Sequence, residues 1–286
     1  MLKRSYMYTK YLIKKVLWKF GFDIQRVKKS GCAELGAPRN SLQGVLGQAR
    51  RIGFTPGTVV DIGAAFGTFS GECHKVFPDA HYVLVEPIEE YRPVLSKVVR
   101  AMPLAINVTA VIAAEDGRTF LNVHHDLVGS SLYREVEEGT DIDGVRREVC
   151  AITLDRLVAE RNVPPPFLIK IDVQGAELDA LAGAQKVLAK TEYVLLEVSL
   201  FQFFRQGPVF CDVVAYMKSK GFVPYDIYGL QYRPLDGALS QIDIAFVKED
   251  GEFRKSHHYA TPVQRMEQNR ELKSYLAGVL PGEPGK

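Results

Sequence analysis

The sequence has no hydrophobic run long enough to span a membrane. Its most apolar long stretch, residues 101–114, contains Pro103 and is shorter than the about 20 residues that a membrane-spanning helix needs. At the N-terminus, Lys14 and Lys15 interrupt the apolar residues before a signal-peptide core of about 7–15 residues can form. We therefore expect neither a transmembrane helix nor a secretion signal.

Cysteine is scarce and scattered along the chain. The four cysteines, Cys32, Cys73, Cys150 and Cys211, contain no C-x-x-C pair, which argues against zinc-ribbon and thioredoxin-like sites. This pattern favours a reduced, cytoplasmic protein. The sequence also lacks a histidine pair or carboxylate cluster with clear metal-ligand spacing, so it leaves open whether a divalent metal such as magnesium binds.

A large excess of charge is absent from the chain as a whole, but not from its N-terminus. The net charge is only +2, which argues against DNA binding through a global basic field. Residues 1–30 nevertheless hold nine Lys or Arg and one acid, a local charge of +8 that leaves −6 for the rest. A lysine-rich helix over residues 6–20 suits peripheral contact with the inner, anionic face of a membrane. Packing on the body or on a partner, with the lysines in water, is the other interpretation.

With 47% hydrophobic and 24% charged residues, the composition is that of a globular protein. From residue 57 onward, β-branched runs alternate with helical patterns, which predicts an α/β fold with a mostly parallel sheet and helices on both faces. We predict seven strands, the last two joined as an antiparallel closing hairpin: 58–62, 82–85, 106–112, 167–173, 193–198, 222–227 and 242–247. The predicted helices are 68–76, 88–99, 154–160, 176–188 and 208–218.

The charge and element patterns divide the chain into three predicted regions. Residues 1–50 form a basic helical arm, residues 51–250 a ligand-binding domain, and residues 251–286 a polar tail that frays. Within the domain, residues 118–163 look less regular than the rest. Dense aromatic residues at 200–205 and 225–232 have three interpretations, which are a substrate wall, core, or a homodimer surface.

The turn after the first strand has the character of a nucleoside site. Asp61 and Gly63 stand at its start and Gly67 at its end, before a helix whose first amides can approach a ligand. A dinucleotide fingerprint that began at Gly63 would need glycine at position 65 and glycine or alanine at position 68, where the chain has Ala65 and Thr68. The pattern therefore favours a nucleoside without a pyrophosphate over NAD.

Two further strand ends extend this site. Glu86 lies 23 residues beyond Gly63, the spacing at which an acid can accept hydrogen bonds from both ribose hydroxyls. The turn at 113–117, which includes Ala114, could admit an adenine ring. Each of these residues also has a purely structural interpretation.

The complete set of motifs resembles the FkbM family of S-adenosylmethionine-dependent methyltransferases. The matching features occur in the family's order over roughly residues 55–250, and they are Asp61-Ile62-Gly63 through Ser70, Val85-Glu86-Pro87, Gly129-Ser130-Ser131-Leu132, Thr153-Leu154-Asp155, Ile169 through Glu177, and Leu195-Leu196-Glu197. One departure is Gln174, where many relatives carry glutamate, so we assign that position no acid–base role.

The resemblance implies a Rossmann-like, seven-stranded class I methyltransferase that forms methyl ethers on hydroxyls of sugars, polyketides or similar metabolites. It implies that S-adenosylmethionine contacts Asp61, Gly63, Ala64, Ala65, Phe66, Gly67, Thr68, Ser70, Glu86, Pro87, Ala114 and Asp172. An alcohol needs a general base or a cation to become a nucleophile at neutral pH. Asp172 is the first candidate for base or metal ligand, followed by His125 or its neighbour His124.

Two other functions remain open from the sequence. An RNA or protein methyltransferase would use the basic arm to hold an anionic partner, and its binding would depend steeply on salt. A nucleoside-binding scaffold that has lost catalysis would keep the same turn without turnover.

Overall fold

The computed structural model describes residues 37–137 and 140–279. Ten strands lie within these ranges: β1 (Thr58–Ile62), β2 (His81–Val85), β3 (Ala105–Val108), β4 (Val111–Ile112), β5 (Gly117–Val123), β6 (Val145–Ile152), β7 (Phe167–Ile171), β8 (Thr191–Ser199), β9 (Phe222–Tyr232) and β10 (Leu239–Lys248). The α-helices there are α1 (Leu42–Arg51), α2 (Thr68–Val76), α3 (Arg92–Ala101), α4 (Thr140–Asp143), α5 (Leu154–Arg161), α6 (Glu177–Ala182), α7 (Gln185–Leu188), α8 (Phe210–Ser219) and α9 (Pro262–Val279).

The main sheet has seven strands in the order β3-β2-β1-β7-β8-β10-β9. The first five strands in this order are parallel to one another, and β10 pairs antiparallel with both β8 and β9. The part of the sheet with the order β3-β2-β1-β7-β8 is doubly wound, and the winding direction reverses around β1. The predicted seven-stranded, Rossmann-like α/β fold with an antiparallel hairpin is confirmed.

Two separate apolar cores cover the two faces of the sheet. Alternate residues of each strand point to opposite faces, so Val59 of β1 joins one core and Val60 joins the other. The first core receives the buried side of α1, which includes Val45 and Leu46. The second receives α5, α6, α7 and α8.

The region after β3 differs from the prediction. The strand expected at 106–112 is two strands, because the chain leaves the main sheet at Thr109 and Ala110. β4 then joins β6 and β5 in a separate three-stranded sheet. The less regular region at 118–163 therefore contains an antiparallel ribbon, β5 paired with β6, and the loop between these strands.

Two helix predictions also need correction. The helix expected at 176–188 is interrupted at Gly183, where an added Cβ would lie 2.1 Å from the carbonyl oxygen of Ala113. The tail expected to fray contains α9, whose described side chains are exposed. Among the helices that the structure describes, none is both long and apolar enough to cross a membrane. The predicted helix at 6–20 and the arm's membrane contact stay predictions, since residues 1–36 lie outside the described residues. The homodimer also stays a prediction.

The Thr153-Leu154-Asp155 motif holds helices in place. The Thr153 hydroxyl accepts a hydrogen bond from the Arg156 amide at the start of α5, and Leu154 is fully buried. The Asp155 carboxylate accepts bonds from the amides of Lys186 and Val187 at 2.9 and 2.8 Å. This motif is thus structural.

Thr153→Ala is expected to lower the free energy of unfolding by about 1 kcal/mol, because the variant loses the side-chain cap of α5. Thr153→Ser keeps the hydroxyl and should stay close to the wild type. Urea unfolding of the three proteins measures the effect. Equal loss in both variants would show that the methyl group, and not the cap, stabilises this position.

Candidate active site

The carboxyl ends of β1, β2, β7 and β8 meet where the winding direction reverses, and two adjoining clefts open there. The first, which we call the apolar cleft, is lined by Val85, Ile88 and Leu132 among others. The second, which we call the polar cleft because it contains Asp61 and Lys170, is lined by polar residues such as Asn40 and Thr68 and by apolar ones such as Leu42, Phe66 and Phe69. Both are lined by Gly63, Ala65, Asp172, Glu197 and Gln231. The shared residues mark the point at which two ligands could meet.

The turn after β1 brings two strand ends unusually close together. The amides of Gly63 and Ala64 donate to the carbonyl of Val85 at 3.0 and 3.1 Å. Gly63 has φ +77°, and a Cβ there would lie 1.9 Å from the carbonyl oxygen of Asp172. Only glycine fits this conformation in this space. The close approach places Asp172 of the β7 end beside the turn.

Asp61 is buried in β1 with one of its oxygens unpaired. Ser70, from α2, donates to Asp61 Oδ2 at 2.6 Å. Asp61 Oδ1 has no hydrogen-bond partner among the described residues, and the side chain lines the polar cleft. Burial raises the pKa of Asp61, and the nearby Lys170 ammonium partly opposes this. A buried carboxylate oxygen without a donor is costly, which makes it a position for a cationic ligand.

Glu86 stands at the end of β2 and lines the apolar cleft. Its Oε2 accepts from the amide of Ala65 at 2.8 Å, and its Oε1 accepts from the amide of Ile88 at 3.0 Å. Burial raises its pKa, while these two amide bonds lower it. Each oxygen retains a lone pair, so the fixed carboxylate can accept from a pair of neighbouring hydroxyls.

Asp172 is held as an anion at the junction of the clefts. Lys170 Nζ lies 2.6 Å from Asp172 Oδ2, and Gln174 donates to Oδ1 at 2.9 Å. Burial acts to raise the pKa of Asp172, but the Lys170 ammonium and these hydrogen bonds hold it below the ordinary value. A carboxylate with so low a pKa accepts a proton weakly. It suits the binding of a positive charge better than proton abstraction.

Glu197, at the end of β8, is a site residue that sequence reasoning missed. Gln231 donates to its Oε1 at 3.0 Å, and Gln174 and Gln241 donate to its Oε2 at 2.9 and 3.0 Å. Burial and the neighbouring carboxylates of Asp172 and Asp243 raise its pKa to about 8. The available signal was its position, an acid directly after the buried run of β8.

A loop closes over the apolar cleft from the side of the small sheet. Leu127, Val128, Ser130 and Leu132 line the cleft, and the Ser131 hydroxyl donates to the carbonyl of Gln174 at 2.6 Å. This contact explains the Gly129-Ser130-Ser131-Leu132 motif, since it ties the loop to the β7 end.

A comparison with protein families gives a match over this region. The family described as the Methyltransferase FkbM domain matches residues 61–224, which is more than half of the chain. The chain belongs to the FkbM methyltransferase family. The matched segment begins at Asp61 and contains Glu86, Asp172 and Glu197, so it supplies part of the lining of both clefts, whereas Gln231 and Gln241 lie beyond it.

The FkbM chain is also similar to solved methyltransferase structures. The FkbM methyltransferase of Methylobacillus flagellatus is 17% identical with a TM-score of 0.43, and the match covers 65% of this chain but only 43% of that one. Aeropyrum pernix fibrillarin, solved with natively bound S-adenosyl-L-methionine, is 14% identical with a TM-score of 0.42, covering 73% and 76% of the two chains.

A third similar structure is the 1,6-didemethyltoxoflavin-N1-methyltransferase of Burkholderia thailandensis, which contains its substrate and S-adenosylhomocysteine. It is 12% identical with a TM-score of 0.39, and the match covers 87% of this chain and 88% of that one. A search of curated proteins found no match.

Most of the residues predicted from the sequence of this FkbM protein lie at the two clefts. Those that line one or both are Asp61, Gly63, Ala64, Ala65, Phe66, Thr68, Glu86, Pro87 and Asp172. Two others line neither cleft but lie next to residues that do: Gly67 is the N-cap of α2, and Ser70 donates to Asp61. Ala114 is exposed and lines neither cleft, because Ala110, Val111 and Ile112 occupy that wall instead.

The histidines lie away from the reacting centre. His125 is exposed and lines neither cleft, because the chain turns outward after β5. The His124 ring packs against Gly129, and its Nε2 lies 3.8 Å from Glu135. Within the described part of the chain, no group of three or more His, Cys, Asp or Glu has the arrangement of a metal site.

Proposed function

We propose that this FkbM methyltransferase uses S-adenosylmethionine to methylate a hydroxyl group of a small molecule or glycan. The observation that carries the cofactor assignment is the buried, unpartnered Oδ1 of Asp61, a residue that lines the polar cleft. The ammonium group at the methionine end of the cofactor is a donor of suitable charge for this oxygen. NAD has no ammonium group to offer to this oxygen.

The residues at the clefts fit the rest of the cofactor. Glu86, held by two amides, offers both oxygens to the ribose hydroxyls. Pro87, Ile88 and Ile112 provide an apolar wall for the adenine ring. Asp172, whose low pKa keeps it ionised, supports the positive sulfonium between the two clefts.

When bound, the cofactor supplies an electrophilic methyl group. The chain must then bind the acceptor next to that group, orient its oxygen and remove its proton. Carboxylates and carboxamides surround the junction of the clefts, and these groups are suited to a hydroxylated acceptor.

Calorimetry with S-adenosylhomocysteine tests the cofactor assignment, with NAD as the comparison and magnesium present or absent. We expect micromolar binding of S-adenosylhomocysteine and none of NAD. Glu86→Ala should weaken the affinity by about tenfold or more, since two hydrogen bonds to the ribose are each worth about 0.5–1.5 kcal/mol. Asp61→Ala should also weaken binding. Affinity that survives both substitutions unchanged would contradict the proposal.

A further inference from the structure

The Glu197 carboxylate is held by three glutamine side chains that come from three different strand ends. Gln174 follows β7, Gln231 lies in β9 and Gln241 lies in β10. All three donate through Nε2 to Glu197, at 2.9–3.0 Å. These residues line the apolar cleft. Such a set fixes both the position and the orientation of one carboxylate.

The geometry leaves one acceptor position of Glu197 open. An ionised carboxylate has about four lone-pair positions, two on each oxygen. Gln174 and Gln241 use both on Oε2, whereas Gln231 uses one on Oε1. Glu197 lines both clefts, so its carboxylate lies where they meet.

The glutamines also present acceptors of their own. A carboxamide that turns its nitrogen to a carboxylate must turn its oxygen away from it. Among the described residues, no hydrogen-bond donor reaches Oε1 of Gln231 or of Gln241. Two carbonyl oxygens are therefore available beside the open position of Glu197, and they suit donors such as hydroxyl groups.

We propose that Glu197 is the general base of the methyl transfer, and that Gln231 and Gln241 bind hydroxyls adjacent to the one that is methylated. The acceptor is then a polyhydroxylated molecule with neighbouring hydroxyl groups. This inference rests on the proposed function. Asp172 is the weaker alternative, because the Lys170 ammonium lies 2.6 Å from its Oδ2 and holds its pKa below the ordinary value.

The step balances with the groups named. The acceptor O–H bond breaks, and its proton moves to Glu197 Oε1. An electron pair of the acceptor oxygen forms the new C–O bond. At the same time the C–S bond of the bound sulfonium breaks, and its electron pair stays on sulfur. Glu197 then releases its proton to water. No oxidant or further reactant is needed.

Proton abstraction requires ionised Glu197, so the rate should rise with pH. The charged and titratable groups that face it are Lys170 and Asp172 from β7, Asp243 from β10 and Tyr228 from β9. Burial, Asp172 and Asp243 raise the pKa of Glu197 to about 8. We therefore expect kcat/KM to rise tenfold per pH unit below about pH 8 and to level off above it.

The test compares wild type, Glu197→Gln and Glu197→Asp in the full chain. Tritiated methyl transfer is measured to myo-inositol, glycerol, monosaccharides and methyl glycosides, with 1-propanol as a monohydric probe. We expect Glu197→Gln to lose at least 100-fold in kcat and the pH dependence, while S-adenosylhomocysteine affinity stays within twofold. Glu197→Asp should keep partial activity. Glu192→Gln, at the other end of β8 where Glu192 pairs with Lys248 at 3.7 Å, is the matched control without an effect.

A second readout needs no acceptor. Potentiometric titration of the S-adenosylhomocysteine complexes should show that the wild type releases one proton more near pH 8 than Glu197→Gln does. The double variant Gln231→Ala/Gln241→Ala should raise KM for polyols at least tenfold.

The outcomes separate the two proposals. Failure of S-adenosylhomocysteine to bind the wild type would reject the proposed function. With binding intact, wild-type turnover by Glu197→Gln, transfer to 1-propanol as efficient as to polyols, or transfer to no polyol at all would overturn the inference.

Discussion

Gly63→Ala is expected to abolish S-adenosylhomocysteine binding and to destabilise the fold. The added Cβ would lie 1.9 Å from the carbonyl oxygen of Asp172, which is backbone and cannot rotate away. The ends of β1 and β7 would have to separate, and Glu86 and Asp172 would leave their positions relative to the turn. We expect at least a 100-fold loss of affinity by calorimetry.

A second glycine, Gly221, provides a control that separates the effect of the steric clash from the effect of the left-handed backbone conformation. Gly221 has φ +79°, nearly the same as Gly63, but nothing among the described residues lies within 4 Å of a Cβ placed there. Gly221→Ala should cost only the left-handed penalty of about 1–2 kcal/mol and leave binding unchanged. Urea unfolding of both variants should show a larger loss for Gly63→Ala. Equal losses with retained binding would reject the close-approach explanation.

Lys170→Met is the second change with a large expected effect. The Lys170 side chain is only 12% exposed, and its ammonium lies 2.6 Å from Asp172 and close to Asp61. Removing one partner of a fully buried ion pair costs about 3–5 kcal/mol, and the lower end of this range applies here because the Asp172 side chain is 31% exposed. We expect a loss of this size in the free energy of unfolding at pH 8.

The loss should shrink as the pH falls. In the wild type, the pKa of Asp172 lies below its unfolded value, so the stability that its ion pair provides is present above the unfolded pKa and is lost only at strong acidity. Without Lys170, burial raises that pKa, so the carboxyl takes up a proton more readily as the pH falls from 8 to 5.

Urea unfolding at pH 8 and pH 5 measures this difference between variant and wild type. Lys218→Met removes the exposed ion pair with Glu249 and should change stability little at either pH. A Lys170→Met effect that is the same at both pH values would show that packing, and not charge, is lost.

Local patterns in the sequence were sufficient for the parts of the fold that depend on neighbouring residues. β1 and α2 have the predicted bounds, because a buried β-branched run, a glycine turn and a helical pattern follow one another directly. The positions of Asp61, Gly63, Glu86 and Asp172 at the clefts follow from the rule that parallel strands bring their carboxyl ends together.

Features that depend on distant contacts could not be predicted in this way. The set around Glu197 joins Gln174, Gln231 and Gln241, and only the pairing of β10 between β8 and β9 brings them together. His125 has a suitable side chain, but its exposure depends on how the chain leaves β5. The strand break after β3 depends on the small sheet, whose partner β6 lies some forty residues further along the chain.

The position of β10 has a consequence for how the protein is made. β9 pairs with no strand of the sheet except β10, although the ribosome synthesises β9 first. In a nascent chain that has reached residue 238, β8 is still the edge of the sheet, and β9 has no strand to pair with. The last strand to emerge therefore completes the sheet, and with Gln241 it also completes the surroundings of Glu197.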